Sequence, residues 1–123
     1  PDRPALQELA QRAARAFDTA PRVWGDRDMP ISSCAFLGGS LGDLGESALK
    51  CGADAIICGE AGYHVCQDLA ARGVGIILLG HDASETPFTR ILAEAATRAG
   101  VPSASIQIAD PPRQWWTIEG GRS

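Results

Sequence analysis

Two histidines and one tyrosine are all that this 123-residue chain has of those side chains, and the scarcity narrows where chemistry can reside. The four cysteines, Cys34, Cys51, Cys58 and Cys66, contain no Cys-x-x-Cys pair, so neither a zinc ribbon nor a thioredoxin-type redox motif is readable. No apolar run approaches the roughly 20 residues that span a bilayer, and no membrane role is expected. Positive charge is not in excess. The formal net charge is −4 and the arginines are scattered, whereas a nucleic-acid binder wants a basic stripe. There is no P-loop, no G-x-G-x-x-G fingerprint and no internal repeat. No Ser-His-Asp arrangement is readable, and no cysteine has a local histidine that would mark a nucleophile. The opening residues, Pro1-Asp2-Arg3-Pro4, lead into a polar helical pattern rather than an apolar leader. The expected compartment is cytoplasmic, and there the thiols are expected to pack as small hydrophobes.

What is present is an ordinary globular composition, 45% hydrophobic and 21% charged, long enough for one domain with one core. Leu6, Leu9, Ala10, Ala13 and Phe17 recur at helical spacing. A short edge strand is expected at 22–25 and a strand at 31–37, followed by a helix at 40–51 that Gly42 and Gly45 weaken. Next come a strand at 53–58, a helix at 63–72, a central strand at 74–79 and a long helix at 86–99. Phe88, Ile91, Leu92, Ala95 and Ala96 share a face of that helix. Residues 103–108 alternate like a last strand. Strands alternating with helices indicate βαβ units. The expected fold is therefore α/β, a three-layer arrangement with a mainly parallel sheet between helices on both faces. Residues 1–110 form its single domain. Residues 111–123 are a tail with a Pro111-Pro112 break, Trp115-Trp116 and a mobile end at 120–123.

Right-handed crossovers put every parallel strand's C-terminal end on one rim. Three polar stretches then meet there: Gly38-Gly39-Ser40, Gly59-Glu60 through His64, and Gly80-His81-Asp82-Ala83-Ser84-Glu85. Such rims are where open α/β sheets hold ligands. The third stretch offers an imidazole and carboxylates, which suit a hard or borderline metal. Local chemistry reads it more simply as a helix start, with Ser84 as N-cap and Glu85 in the first turn. Gly39 and Ser40 could contact an anion through backbone N–H groups, or simply make a tight turn. Glu60 and His64 suit acid–base work, or a capping carboxylate and a half-buried histidine. Trp115 and Trp116 could stack a base, or cover a core edge or an oligomer contact. Both histidines of the chain fall on the same expected rim, which favours function over coincidence.

The series Ala53-Asp54-Ala55-Ile56-Ile57-Cys58-Gly59-Glu60, Tyr63-His64, Gly73 and Gly80-His81-x-Ala83-Ser84-Glu85 resembles the C-terminal half of the Nif-three-like (NGG-one interacting factor three-like) family. These are dinuclear metal-centre proteins, often labelled type-2 GTP cyclohydrolase I. Arg22-Val23-Trp24-Gly25 and the stretch 35–42 are similar to further segments of that family. The resemblance implies that His81 and Glu85 are metal ligands, with Glu60 and His64 beside the site. It implies a divalent cofactor (zinc, manganese or iron), a toroidal hexamer, and metal-dependent hydrolysis of a small phosphorylated or nucleotide-like substrate. The family's other ligands, a His-His pair and an aspartate, have no counterpart in this chain. Only part of the dinuclear site is therefore expected, with weak or absent metal binding by this chain alone. The alternative is a non-enzymatic binding or oligomeric scaffold protein with an incomplete site.

Overall fold

Ile56, Ile57, Ile76 and Ile77 are β-branched and buried on both sides, the pattern of strands sandwiched between two layers. A computed structural model of the chain describes residues 3–109 and 112–120. It divides into two units, Pro1–Pro87 and Phe88–Ser123. The first unit holds α1 (Leu6–Ala16), β1 (Arg22–Trp24), β2 (Cys34–Phe36), α2 (Leu44–Lys50), β3 (Ala55–Cys58), α3 (Tyr63–Ala71), β4 (Gly75–Leu78) and the short α4 (His81–Glu85). The sheet order is β1-β4-β3-β2. Strands β2, β3 and β4 are parallel, with Ala35 opposite Ile56 and Ile56 opposite Ile76. The edge strand β1 runs antiparallel, with Val23 opposite Ile77.

Alternation along the strands feeds two cores. Ile56, Cys58, Val74 and Ile76 face Leu41, Ala48, Cys66 and Leu69, under α2 and α3. Ala55, Ile57, Ile77 and Leu79 face Leu6, Ala10 and Ala13 of α1 on the other side. This is the three-layer α/β architecture. Each buried isoleucine contributes roughly 1.5–3 kcal/mol relative to exposure. The strand expected at 31–37 is shorter because the amides of Ser32 and Ser33 bond the Asp54 carboxylate instead of a ladder partner, at 2.7 and 3.2 Å. No helix among the described residues is long and apolar enough to cross a membrane.

Two expectations are corrected. The helix expected to begin with Ser84 as its N-cap begins four residues earlier: Gly80 is the N-cap of α4, and Ser84 lies inside it. Thr86 is the C-cap of α4, and Pro87, which has no N–H to donate, is the first residue of α5 (Pro87–Arg98). Residues 103–108 form no strand. Ser103–Ser105 is a 3-10 turn behind Pro102, and Ile106 has extended backbone (φ −108°, ψ 123°). Neither the turn nor the described residues after it join the sheet. In the second unit, α5 buries none of its residues, so Phe88, Ile91 and Leu92 are exposed. Pro111, half of the expected Pro-Pro break, and residues 121–123 of the expected mobile end lie outside the described residues.

Candidate metal centre at the strand rim

The hydrogen-bond ladder of the sheet continues past the strands into the polar turns. Gly59 N–H donates to the Gly39 carbonyl at 2.8 Å, Gly80 N–H to the Gly59 carbonyl at 2.8 Å, and Leu41 N–H to the Glu60 carbonyl at 2.9 Å. Ser40 and Glu60 form an isolated parallel bridge. The three turns therefore approach one another more closely than side chains would permit. A Cβ on Gly59 would stand 2.5 Å from Ser84 Oγ and 2.7 Å from the Gly39 carbonyl oxygen. Only glycine fits there.

This approach gathers four side chains. Ser40 Oγ donates to Glu60 Oε1 at 2.7 Å. His81 Nδ1 lies 2.9 Å from the same oxygen. An ionised carboxylate only accepts, so Nδ1 carries the proton. Four residues along α4, which is one helical turn, Glu85 Oε2 faces His81 Nε2 at 3.3 Å. The imidazole is thus held between two carboxylates, and His81, Glu60 and Glu85 are each about half exposed. The Glu60 hydrogen bond, then the Glu85 charge, raise the His81 pKa above its ordinary value. The His81 and Ser40 hydrogen bonds lower that of Glu60.

The remaining sequence candidates have other partners. Gly39 N–H donates to Ser84 Oγ at 2.9 Å, and the hydroxyl of the exposed Ser40 is engaged by Glu60. His64 packs edge-on against Tyr63 at 5.4 Å between ring centroids, and its Nδ1 lies 3.5 Å from Gln67 Oε1. It lines a groove of ≈ 370 Å³ with Asp43, Glu46, Val65 and Leu69, between α2 and α3. Asp82 Oδ1 accepts the Ala83 N–H. A second groove, ≈ 520 Å³, lies between α1 and β1 and contains none of the four rim side chains. All four thiols are free. Burial pushes the Cys58 thiol up to about 11 and raises that of Cys66. In the second unit, Arg113 sits over the Trp115 ring at 4.9 Å, and Trp116 is exposed. Sequence reasoning missed Ser84, which is buried among these groups. Its spacing from His81, three residues within one helical turn, was the available signal.

Among the described residues no three His, Cys, Asp or Glu side chains form a metal-holding group. The His81–Glu85 pair brings one nitrogen and one oxygen atom to within 3.3 Å of each other. Zinc ligands at about 2.0–2.2 Å in tetrahedral geometry lie roughly 3.4 Å from each other. The 3.3 Å between Nε2 and Oε2 fits two corners of such a set.

A profile of the Duf34/NIF3 (NGG1p interacting factor 3) family matches residues 1–111. The chain belongs to the Duf34/NIF3 family. It is 34% identical over 90 residues to a Clostridium acetobutylicum protein named GTP cyclohydrolase 1 type 2 homolog, a match covering 72% of this chain and 34% of the relative. A Halalkalibacterium halodurans protein of the same name is 36% identical over 81 residues, covering 65% of this chain and 22% of its own. The crystal structure of a Bacillus cereus protein related to NIF3 superposes with a TM-score of 0.77 at 22% identity, over 95% of this chain and 33% of that one. This last likeness concerns the Duf34/NIF3 fold. The chain thus spans about a third or less of the length of these Duf34/NIF3 relatives.

Proposed function

We propose that this chain supplies one part, His81 and Glu85, of a divalent-metal site in a metal-dependent hydrolase acting on a small phosphorylated or nucleotide-like molecule, and that it self-associates. One observation carries the metal reading. His81 Nε2 faces a carboxylate oxygen 3.3 Å away, and in the neutral ring with its proton on Nδ1 this nitrogen presents a lone pair. Two acceptors facing each other call for a cation between them, either a proton or a metal ion. The printed name of the relatives, GTP cyclohydrolase 1 type 2 homolog, supports the nucleotide-like substrate class.

Within such a site each residue has a definite task. Glu60 fixes the tautomer and ring plane of His81, as carboxylates beside metal-bound histidines do. Ser40 holds the Glu60 carboxylate in turn. Glu85 supplies a hard oxygen donor. His81 and Glu85 would hold a divalent ion, zinc, manganese or iron, whose contribution when bound would be Lewis-acid polarisation and a water of lowered pKa. Catalytic zinc has about three protein ligands and structural zinc about four. Two donors therefore predict weak binding by this chain alone, with the remaining donors coming from another polypeptide or segment. The same count favours the second reading, a binding or scaffold protein without turnover.

The test is zinc and manganese titration, followed by calorimetry and by the His81 ring resonances. The expected result is weak binding that shifts the His81 signals and is lost in a His81→Ala, Glu85→Ala double variant. Binding that survives in the double variant would overturn the assignment. So would His81 signals that ignore zinc at millimolar excess.

A further inference from the structure

Ser84 is the one buried polar side chain among the described residues, at 0% exposure, and the chemistry above does not use it. Its Oγ accepts the Gly39 N–H at 2.9 Å and donates to the His81 carbonyl at 2.9 Å. A buried hydroxyl satisfied on both sides cannot be removed cheaply, because the Gly39 N–H would have no water to turn to. The other side of the Gly39 residue is held as well. Its carbonyl accepts the Gly59 and Glu60 N–H groups at 2.8 and 3.1 Å. Gly39 is therefore pinned between the end of β3 and the first turn of α4.

Its bare α-carbon faces the metal-binding pair. A Cβ there would lie 2.5 Å from Glu85 Oε1 and 3.4 Å from both His81 Cε1 and Nε2, at a φ of +70°. The backbone of Gly39 is thus the wall against which His81 and Glu85 rest. A helix as short as α4, His81–Glu85, cannot hold its side chains in register by its own hydrogen bonds, since helix nucleation is unfavourable. The register must come from tertiary contacts, and Ser84 makes the one that reaches both the wall and the histidine. We infer that Ser84 is a positioning residue: by tying Gly39 to the His81 turn, it sets the separation of His81 Nε2 and Glu85 Oε2. The geometric part stands on these contacts, and its consequence for metal rests on the proposed function.

The experiment uses the full chain with Ser84→Ala, Ser84→Cys, and Leu69→Ala as a core control that lowers the thermal midpoint. The nuclear Overhauser contact between Gly39 Hα and His81 Hε1 reads the geometry, and zinc titration reads the consequence. Both are recorded at a temperature where each variant is fully folded. Ser84→Ala is expected to lose the Overhauser contact and weaken zinc binding about tenfold or more. Ser84→Cys should retain part of both, and Leu69→Ala all of both. If Ser84→Ala keeps the contact and the wild-type affinity while only its thermal midpoint falls, the serine is merely structural and the inference fails. If Ser84→Ala does not fold, Ser84→Cys decides by the same readouts: a weakened contact supports the inference and an unchanged one overturns it. If zinc binding is indifferent to His81→Ala and Glu85→Ala, the metal reading has failed, and the Overhauser contact alone decides the positioning role.

Discussion

In the proposed site a proton and a metal ion would compete for the same lone pair at His81. The Glu60 hydrogen bond and the Glu85 and Asp82 charges all favour the imidazolium, so the folded pKa lies above the ordinary 6.5. A raised pKa adds stability that is full below the ordinary value and fades as pH rises through the folded one. Glu60 behaves oppositely. Its pKa is lowered from 4.5, so its contribution is present above that value and lost as pH falls through the folded one. The pair therefore stabilises most between the ordinary values of the two groups, 4.5 and 6.5. Both groups face solvent, so the effect is modest and weakens with salt. Between about pH 6 and about pH 8, the thermal midpoint of the metal-free chain is expected to fall more in the wild type than in His81→Ala. Equal slopes would show that the imidazole is not held as described. Zinc affinity should move the other way, rising with pH as the proton leaves. At this scale the rim was legible because parallel strands send glycine-rich ends to one side. The role of Ser84 was not, since a serine before an apolar helical pattern reads as an exposed cap, and only the early start of α4 turns it inward.

The elements divide by how completely they are buried. Strands β3 and β4 could be read as continuous apolar runs because both faces of the sheet are covered, and their bounds differ from expectation by a residue or two. The segment 103–108 misled because alternation records only which side chains point the same way. It does not say whether a neighbouring strand exists. The helix expected at 40–51 starts late because Gly42 has a φ of +55°, while Leu41 is already buried in the core. These contrasts predict unequal tolerance. Ile76→Ala, which empties a site at the centre of the sheet, should cost about 2–5 kcal/mol in denaturant unfolding. Leu92→Ser, on the exposed side of α5, should change monomer stability by less than about 0.5 kcal/mol. Similar losses for the two would mean that the sheet core is not where β3 and β4 place it.

For the whole molecule the question is what covers the second unit. Phe88, Ile91 and Leu92 on α5 are exposed, as are Trp116 and Ile118 in the tail, and apolar patches of this kind commonly mark interaction surfaces. With self-association proposed, light scattering at high concentration should give at least a dimer. Ile91→Asp combined with Leu92→Asp should return it to monomer. A wild type that stays monomeric throughout would count decisively against assembly. The chain covers only a third of the length of the Bacillus cereus structure, and the proposed metal site draws on just two of its side chains, His81 and Glu85.

Cys58 closes β3 one residue before the rim, yet its sulfur points into the core and contacts the Glu60 carbonyl at 3.7 Å. With a thiol pushed up to about 11, it forms no thiolate near neutral pH. Cys66 is buried with it, and Cys34 begins β2 at the opposite end of the sheet. The four side chains gathered at the rim, Ser40, Glu60, His81 and Glu85, offer nitrogen and oxygen donors only. Soft ions such as cuprous copper or cadmium favour thiolate ligands, and none of these four side chains supplies one. If the proposed site holds a metal, the inward turn of Cys58 leaves the choice of ion to an imidazole and a carboxylate, donors of the harder kind.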